Sequence, residues 1–285
     1  MDCILINYRN PDDTIACIAS LAASKAEGFR ILLVNNHAAD GSEAPLRAAL
    51  KVSGMEYVYL DPGGNIGFTG GVNLGFAKAL EAGAAHVMLL NNDTVVASDF
   101  AAHVREALER HPRDVLAGRI LEFDTGEVSW NIGRFSRWTG QVIHVFDADY
   151  AGEVEFVSGG LMIVPGEVWR RLGGFDDRYF MYCEDVDFCI RLKRAGIRIR
   201  YCPAISIRHK TSSSTKRSGT PKEYYRIRNQ THIVLNRGRT GQKALYLGFL
   251  FLMMFYKLAR RPALFSQAFR GALHGLSGRL GKWEG

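Results

Sequence analysis

The sequence is poor in the features that would make it a disulfide scaffold, a zinc module or a membrane-spanning chain. Its five cysteines, Cys3, Cys17, Cys183, Cys189 and Cys202, form no CxxC pair and leave an odd count. Structural thiols in a reduced, cytosolic compartment are the plain reading. No charged region followed by a long apolar stretch precedes the first strand candidate, Cys3–Asn7, so no secretory signal is expected. The C-terminal apolar run, Ala244 to Tyr256, is 13 residues long. As a helix it reaches roughly 20 Å, short of a ~30 Å hydrocarbon core, and is too short to cross. Acid is scarce in the last third: from residue 191 onward 21 Lys/Arg stand against two Glu, a balance of +19, whereas residues 1–190 carry −12. Such segregation points to an anionic partner, either lipid headgroups or nucleic acid.

What is present is globular. Hydrophobic residues make up 47% and charged residues 23% of 285 positions, a length that fits one large domain or one domain with a tail. Up to about residue 120, apolar runs alternate with helical patterns. Strands are expected at Cys3–Asn7, Arg30–Asn35, Tyr57–Asp61, His86–Leu90 and Val115–Leu121. Helices are expected between them at Asp12–Ser24, Ser42–Val52, Gly71–Ala82 and Ser98–Arg110. This alternation predicts an α/β fold with a parallel sheet flanked by helices and ligands at the carboxyl ends of its strands. Asn7, Asn35-Asn36 and Asn91-Asn92-Asp93 all fall at such ends. Residues 122–155 lose the alternation and read as a β-rich excursion or flap. Residues 156–164 read as one buried strand, with a helix opening at Pro165-Gly166. A helix over Glu184–Ala195, a strand over Ile197–Cys202, a Ser/Thr/Lys-rich loop over Lys210–Thr220, and helices over Glu223–Leu235 and Lys243–Ala259 complete the reading. The division expected is a catalytic domain over 1–237 and a basic, apolar helical tail over 238–285.

Three stretches carry chemistry. Asp93 follows the apolar run Val87–Leu90, where a strand-end carboxylate can share a divalent ion with a diphosphate; Mg²⁺ needs only one or two protein carboxylates beside phosphate oxygens. A polar turn explains the same residues equally well. The stretch Gly63-Gly64-Asn65-Ile66-Gly67-Phe68-Thr69-Gly70-Gly71-Val72-Asn73 allows backbone amides close to a phosphate or ribose. It is neither GxGxxG nor GxxxxGK followed by Ser or Thr, so the dinucleotide and P-loop signatures are absent. Glu184, Asp185 and Asp187 gather at an expected helix start behind the aromatic run Phe180-Met181-Tyr182. Near a cleft, one of them could accept a proton from an attacking hydroxyl. Favourable charge at a helix N-terminus accounts for Glu184 and Asp187 without chemistry.

The motifs INYRN, LLVNNHAADGS, GGNIGFTGGVNLGF, LLNNDTVV, VSGGLMIV, GGFDDRYFMYCEDVDFCIR and IRHKTSSST, in this order over about residues 3–215, resemble those of family 2 glycosyltransferases, in particular the bacterial rhamnosyltransferase-like branch that builds cell-surface polysaccharides. The resemblance implies a GT-A fold, a nucleotide-binding α/β domain with the acceptor half packed onto it. It implies that Asp93 is the metal-binding acid, that His209 completes the metal site for Mg²⁺ or Mn²⁺, and that Asp185 is the catalytic base. Asn7, Asn35, Asn65 and Asn92 would line the nucleotide pocket, joined on the donor side by Gly71 and Asn73, with Glu184 and Trp130 on the acceptor side. Two departures stand out. Asn35 occupies a position where the family usually has an aspartate that accepts from the base, and Asn91 occupies one where a two-acid metal motif carries a second Asp.

The reaction implied is a single displacement with inversion. Asp185 deprotonates the acceptor hydroxyl, which attacks the anomeric carbon opposite the nucleotide. No enzyme nucleophile is needed. Cys183 has no role, because neighbouring carboxylates raise its pKa. The donor expected is dTDP-rhamnose or a UDP-sugar, and the acceptor a saccharide, lipid-linked if the cationic-flanked apolar run lies in a membrane interface rather than in the core. The place expected is the cytoplasm, at the inner face of the cell membrane, and nucleic acid is not an expected partner. A sugar-phosphate nucleotidyltransferase is the alternative enzyme, but Asn7-Tyr8-Arg9-Asn10-Pro11 is not its glycine-rich basic loop. A membrane-surface or nucleic-acid binding protein is the non-enzymatic alternative, and it leaves the acids at 93 and 184–187 unexplained.

Overall fold

The structure is a computed structural model that describes residues 1–129, 132–147, 150, 152–210 and 221–283. Its centre is a nine-stranded sheet in the order β3-β2-β1-β4-β11-β6-β12-β5, with β9 paired to β12. The strands are β1 (Asp2–Asn7), β2 (Arg30–Asn35), β3 (Glu56–Leu60), β4 (His86–Leu90), β5 (Thr94–Val96), β6 (Val115–Glu122), β9 (Gly152–Val154), β11 (Leu161–Pro165) and β12 (Ile199–His209). The first four in space are parallel; β11 runs antiparallel to both β4 and β6. Helices α1 (Pro11–Ala23), α2 (Glu43–Ser53), α3 (Gly67–Glu81) and α4 (Phe100–Arg110) link the early strands, as their alternation predicts.

Both faces of the sheet are covered. Ile4, Ile6, Leu32 and Val34 face one core with Val72 and Phe76 of α3. Cys3, Leu5, Ile31 and Leu33 face the other, with Ile18 of α1, Leu46 of α2 and Phe100 of α4. A strand buried on both sides reads as a continuous apolar run, which is why β1, β2 and β4 are so visible in the sequence.

Three expectations change. The run 156–164 is not one strand: Phe156–Val157 (β10) joins a small antiparallel sheet with β7 (Ile132–Phe135) and β8 (Val142–Val145), while Leu161–Pro165 enters the main sheet. The break at Ser158-Gly159-Gly160 leaves backbone groups free to bond other motifs, and an unbroken apolar pattern carries no sign of it. The strand expected to stop at Cys202 continues to His209 across a register shift between Cys202 and Ser206. Helix α3 starts at Gly67 rather than Gly71, so the last part of the glycine-rich stretch is its first turn.

Beyond β11 come α5 (Gly166–Leu172), α6 (Glu184–Arg194) and, after β12, α7 (Lys222–Arg237), α8 (Thr240–Arg260) and α9 (Pro262–Ser277). The last of these is not expected from the sequence reading; Pro262, favoured in a first helical turn, opens it. Gly271 and Gly275 let α9 lie directly on α7, since a Cβ there would meet the carbonyl oxygens of Tyr224 and Arg228 at 2.6 and 2.5 Å. Ile227 and Val234 of α7 form a small core with Tyr246 and Leu250 of α8 and Ala268 and Ala272 of α9. The loop expected over Lys210–Thr220 lies, after Lys210, outside the described residues.

Candidate active site

At the carboxyl ends of β1, β2 and β4, three of the predicted donor-side asparagines form one hydrogen-bonded chain. Asn92 Nδ2 donates to Thr14 Oγ1 (2.7 Å), and Thr14 Oγ1 donates to Asn7 Oδ1 (2.9 Å). Asn7 Nδ2 donates to Asn35 Oδ1 (2.8 Å), and Asn35 Nδ2 donates to Ser42 Oγ (2.9 Å) and Tyr59 Oη (2.8 Å). Asn7 and Asn35 are fully buried. Buried amides require partners, and here each satisfies the next, which makes the chain a rigid floor. Thr14, Ser42 and Tyr59 are members that sequence reasoning missed, because a single polar residue in an amphipathic helix or strand carries no pattern.

Asn36 closes the gap to the glycine-rich stretch: its Nδ2 donates to Gly67 O (2.7 Å) and its Oδ1 accepts from Ile66 N (3.3 Å). Asn65 Oδ1 accepts from Gly67 N (2.9 Å). Gly71 is buried one turn into α3, against Ile6. Asn73 turns elsewhere: it donates to Phe175 O (2.9 Å), accepts from Phe175 N (3.0 Å) and bonds Asp177, so it anchors the segment leading to the acidic motif.

Asp93, just past β4, and His209, at the end of β12, meet because β5 and β12 pair antiparallel with Thr94 opposite His209. Asp93 Oδ1 and His209 Nε2 are 3.0 Å apart, and Asn91 Nδ2 lies 3.3 Å from the same ring nitrogen. Lys210 N donates to Asp93 O (2.9 Å), locking the two chain segments together. No group of three or more His, Cys, Asp or Glu is placed to hold an ion among the described residues. The described residues bring together one carboxylate and one imidazole here, a donor set that fits Mg²⁺ or Mn²⁺ completed by phosphate oxygens and water. Next to this motif the Cys17 thiol is pushed up to about 12 by burial.

The acidic motif is presented by an unusual backbone. Phe180, Tyr182 and Cys183 have φ of +63°, +65° and +66°, and α6 begins immediately after them at Glu184. Phe180 O accepts from Thr69 N (3.2 Å) on the first turn of α3. Only glycine fits at 67, where φ is +81° and a Cβ would stand 2.4 Å from Phe180 O. Asp185 Oδ2 accepts from Gly159 N (3.0 Å) and its Oδ1 from Val186 N (2.8 Å). The adjacent Gly160 O accepts from Asn91 N (3.0 Å). Two neighbouring glycines thus tie the acidic motif to the Asn91–Asp93 motif.

The three acids have distinct environments. Asp187 is fully buried between Arg191 (2.8 Å) and Arg237 (2.9 Å), a structural ion pair. Glu184 is buried, and its Oε2 has no hydrogen-bond partner among the described residues. Burial first, and the Asp185 charge second, push its carboxyl well above the usual carboxylate range. Burial also raises Asp185, against the opposing pull of the Gly159 and Val186 amides. The Cys183 thiol is pushed well up by burial and by both carboxylates, the direction expected from their neighbouring charge. Trp130 lies outside the described residues.

Comparison with known proteins gives the family and the fold. The profile of "Glycosyl transferase family group 2" matches residues 86–270, and that of "Glycosyl transferase family 2" matches residues 2–135. The chain is 25% identical over 304 residues to the low-salt glycan biosynthesis hexosyltransferase Agl10 of Haloferax volcanii, covering 99% of this chain and 92% of the relative. It is 27% identical over 226 residues to the N-acetylglucosaminyl-diphospho-decaprenol L-rhamnosyltransferase of Mycobacterium tuberculosis, covering 70% and 72%. Among solved structures it is similar to the mannosyltransferase PcManGT from Pyrobaculum calidifontis in complex with GDP-Man and Mn²⁺, with a TM-score of 0.67 at 11% identity over 98% of this chain and 87% of that one. The chain belongs to glycosyl transferase family 2, whose members move a sugar from a nucleotide-activated donor, and it has the GT-A fold.

Proposed function

We propose that this glycosyltransferase is inverting and cation-dependent, and that it moves rhamnose or a hexose from a nucleoside diphosphate to a hydroxyl of a glycan under assembly. The observation that carries the reading is the Gly159-Gly160 bridge, which ties Asp185 to the Asn91–Asp93 motif, whose Asp93 meets His209. Asp185 takes the proton of the acceptor hydroxyl. The acceptor oxygen bonds to the anomeric carbon as the bond from that carbon to the diphosphate oxygen breaks, and the nucleoside diphosphate leaves. A divalent ion held by Asp93 and His209 would offset the charge that develops on the departing diphosphate. The Asn92–Thr14–Asn7–Asn35 chain forms the donor floor, and the buried Glu184 lies on the acceptor side. Proton NMR of the product tests the stereochemistry: an anomeric configuration opposite to the donor's is expected, and retention would exclude a single displacement.

The donor we assign first is dTDP-rhamnose, then UDP-sugars; the L-rhamnosyl relative supports the sugar. The acceptor we assign is a lipid-linked saccharide met at the inner face of the cell membrane, with residues 1–237 forming the transfer unit and 238–285 its membrane-facing part. No helix among the described residues is long and apolar enough to cross a membrane. Ala244–Tyr256 is core on one face alone: on α8 only Tyr246, Leu250 and Lys257 are buried, while Phe251, Leu252 and Phe255 are 72%, 67% and 69% exposed. Phe269, Leu273 and Leu276 of α9 add to the exposed apolar surface. No Asp or Glu occurs between residues 224 and 283, and Lys243, Arg260, Arg261 and Arg270 lie on these two helices or at their junction. An apolar surface with cationic surroundings fits the interface of an anionic leaflet.

A further inference from the structure

We infer that Asn229 and Arg228, on α7, are positioning residues for the transfer reaction, holding the Phe180–Cys183 backbone in the conformation that presents Asp185. The inference rests on Asp185 being the base, as proposed above.

The segment needs holding. Three of its four residues are non-glycine with positive φ, a conformation L-residues disfavour and keep only where the surroundings over-determine it. Two of the three, Tyr182 and Cys183, immediately precede Glu184 and Asp185, so their torsions set where α6 begins and where both carboxyls point. Released from this conformation, the chain would swing the acidic motif away from Gly159.

The restraint comes from one side chain. Asn229 Nδ2 lies 2.6 Å from Tyr182 O, 2.9 Å from Met181 O and 3.3 Å from Tyr179 O, three carbonyls of the turn that leads into α6. Its orientation is set in turn by Arg228, whose Nε donates to Asn229 Oδ1 (2.7 Å) and so aims the amide NH₂ at the turn. The same guanidinium donates from Nη2 to Tyr179 O (2.9 Å) and from Nη1 to Gly281 O (2.6 Å), and lies 5.3 and 4.8 Å from the ring centroids of Tyr224 and Tyr225. Tyr225 stacks on Phe180. Arg228 and Asn229 are 1% and 0% exposed. Burying a guanidinium and an amide is costly unless their hydrogen bonds are made. Here four of those bonds converge on the backbone before the proposed base, which a helix needed only for packing would not require.

The test uses the full-length chain. Asn229→Asp keeps the shape of the side chain and removes the donors to the three carbonyls. With dTDP-rhamnose or whichever nucleotide sugar the wild type turns over, kcat should fall about 10–100-fold, as a displaced reacting group produces, while KM for the donor changes less than about twofold, because the floor around Asn7 and Asn35 is untouched. The acid limb of the kcat profile should move to higher pH, since Asp185 loses its Gly159 amide partner. Cys183→Gly, which makes the left-handed conformation easy, should recover part of kcat in the Asn229→Asp background. Peptide-resolved maleimide labelling under native conditions should show Cys183 reacting faster in Asn229→Asp than in wild type. Unchanged kcat, or a loss of kcat and donor affinity together with no recovery from Cys183→Gly, would overturn the inference. Should Asn229→Asp fail to fold, Arg228→Lys, which keeps the charge and frees Asn229 to rotate, is read by the same kcat, KM and labelling criteria. A wild type that turns over no nucleotide sugar would remove the proposed reaction itself; the labelling result would still report on the clamp.

Discussion

His209 Nε2 lies 3.0 Å from Asp93 Oδ1, brought there by antiparallel pairing of β12 with a three-residue strand that starts at Thr94. Among the described residues this pair brings one carboxylate and one imidazole, so each proposed ligand should matter. Asp93→Ala should lower turnover at least ~100-fold, a loss of roughly 3 kcal/mol of transition-state stabilisation. His209→Ala should weaken the apparent Mn²⁺ affinity more than it weakens donor binding at saturating Mn²⁺. A Mn²⁺ titration of donor turnover for each variant measures both, and an unchanged Mn²⁺ midpoint in His209→Ala would remove the imidazole from the site.

Asp185 and Glu184 separate cleanly by substitution. Asp185→Asn still offers an oxygen to Gly159 N and Val186 N but cannot take a proton, so kcat should fall at least ~100-fold with donor affinity nearly unchanged. Glu184→Gln should retain far more activity. Steady-state kinetics of the two variants side by side decide the matter; a dead Glu184→Gln with an active Asp185→Asn would reverse the roles.

The raised carboxyls also give a pH dependence with a definite sign. As the proposed base Asp185 must be ionised to act, and burial raises its pKa above the ordinary value of 3.8, so activity should fall as pH drops while the pH is still above that value. Stability should run the other way for Glu184. Its proton is held more tightly in the folded chain than in the unfolded one, so the stability it contributes is complete below about pH 4.5 and is lost as pH rises toward its folded pKa. Glu184→Gln should therefore raise the thermal midpoint at neutral pH and leave it nearly unchanged at pH 4. A midpoint that drops at pH 7.5 would show that Glu184 is ionised and paired.

The strands that build the proposed donor floor were legible because they are buried on both faces, as at Ile4 and Leu5, so the apolar run ending in Asn7 marks a strand end. The meeting of Asp93 with His209 was legible only through family resemblance, since β12 had to extend past Cys202 across a register shift. The split of 156–164 was hidden because both halves are apolar, and its meaning resides in backbone groups of Gly159 and Gly160 that no side-chain pattern encodes. The same holds for the Asn229 clamp: α7 reads as a helix, and nothing local says that one buried amide serves three carbonyls of another segment.

The exposed face of α8 makes point substitution a sharper test of membrane contact than truncation. Removing the chain after Arg239 would strip Tyr246, Leu250, Ala268 and Ala272 from Ile227 and Val234 and take Gly281 from Arg228. Phe251→Ser with Phe255→Ser instead alters two side chains that already face solvent. Cosedimentation with anionic liposomes should drop at least ~10-fold, because each buried aromatic contributes about 1.5–3 kcal/mol, while donor hydrolysis and thermal midpoint stay within error. Salt alone should release only part of the wild type, since the screened charge attraction is one component of two. Equal binding of wild type and double variant would place the contact elsewhere.

The central claim, that this chain moves a sugar from a nucleoside diphosphate with a divalent ion at Asp93 and His209, is tested most directly by measuring nucleoside diphosphate release from dTDP-rhamnose, UDP-sugars and GDP-mannose with Mn²⁺ and with excess EDTA. Release is expected from dTDP-rhamnose first and UDP-sugars next, abolished by EDTA and restored by Mn²⁺. Full turnover in EDTA would contradict the cation site, and preference for GDP-mannose over both would contradict the donor assignment.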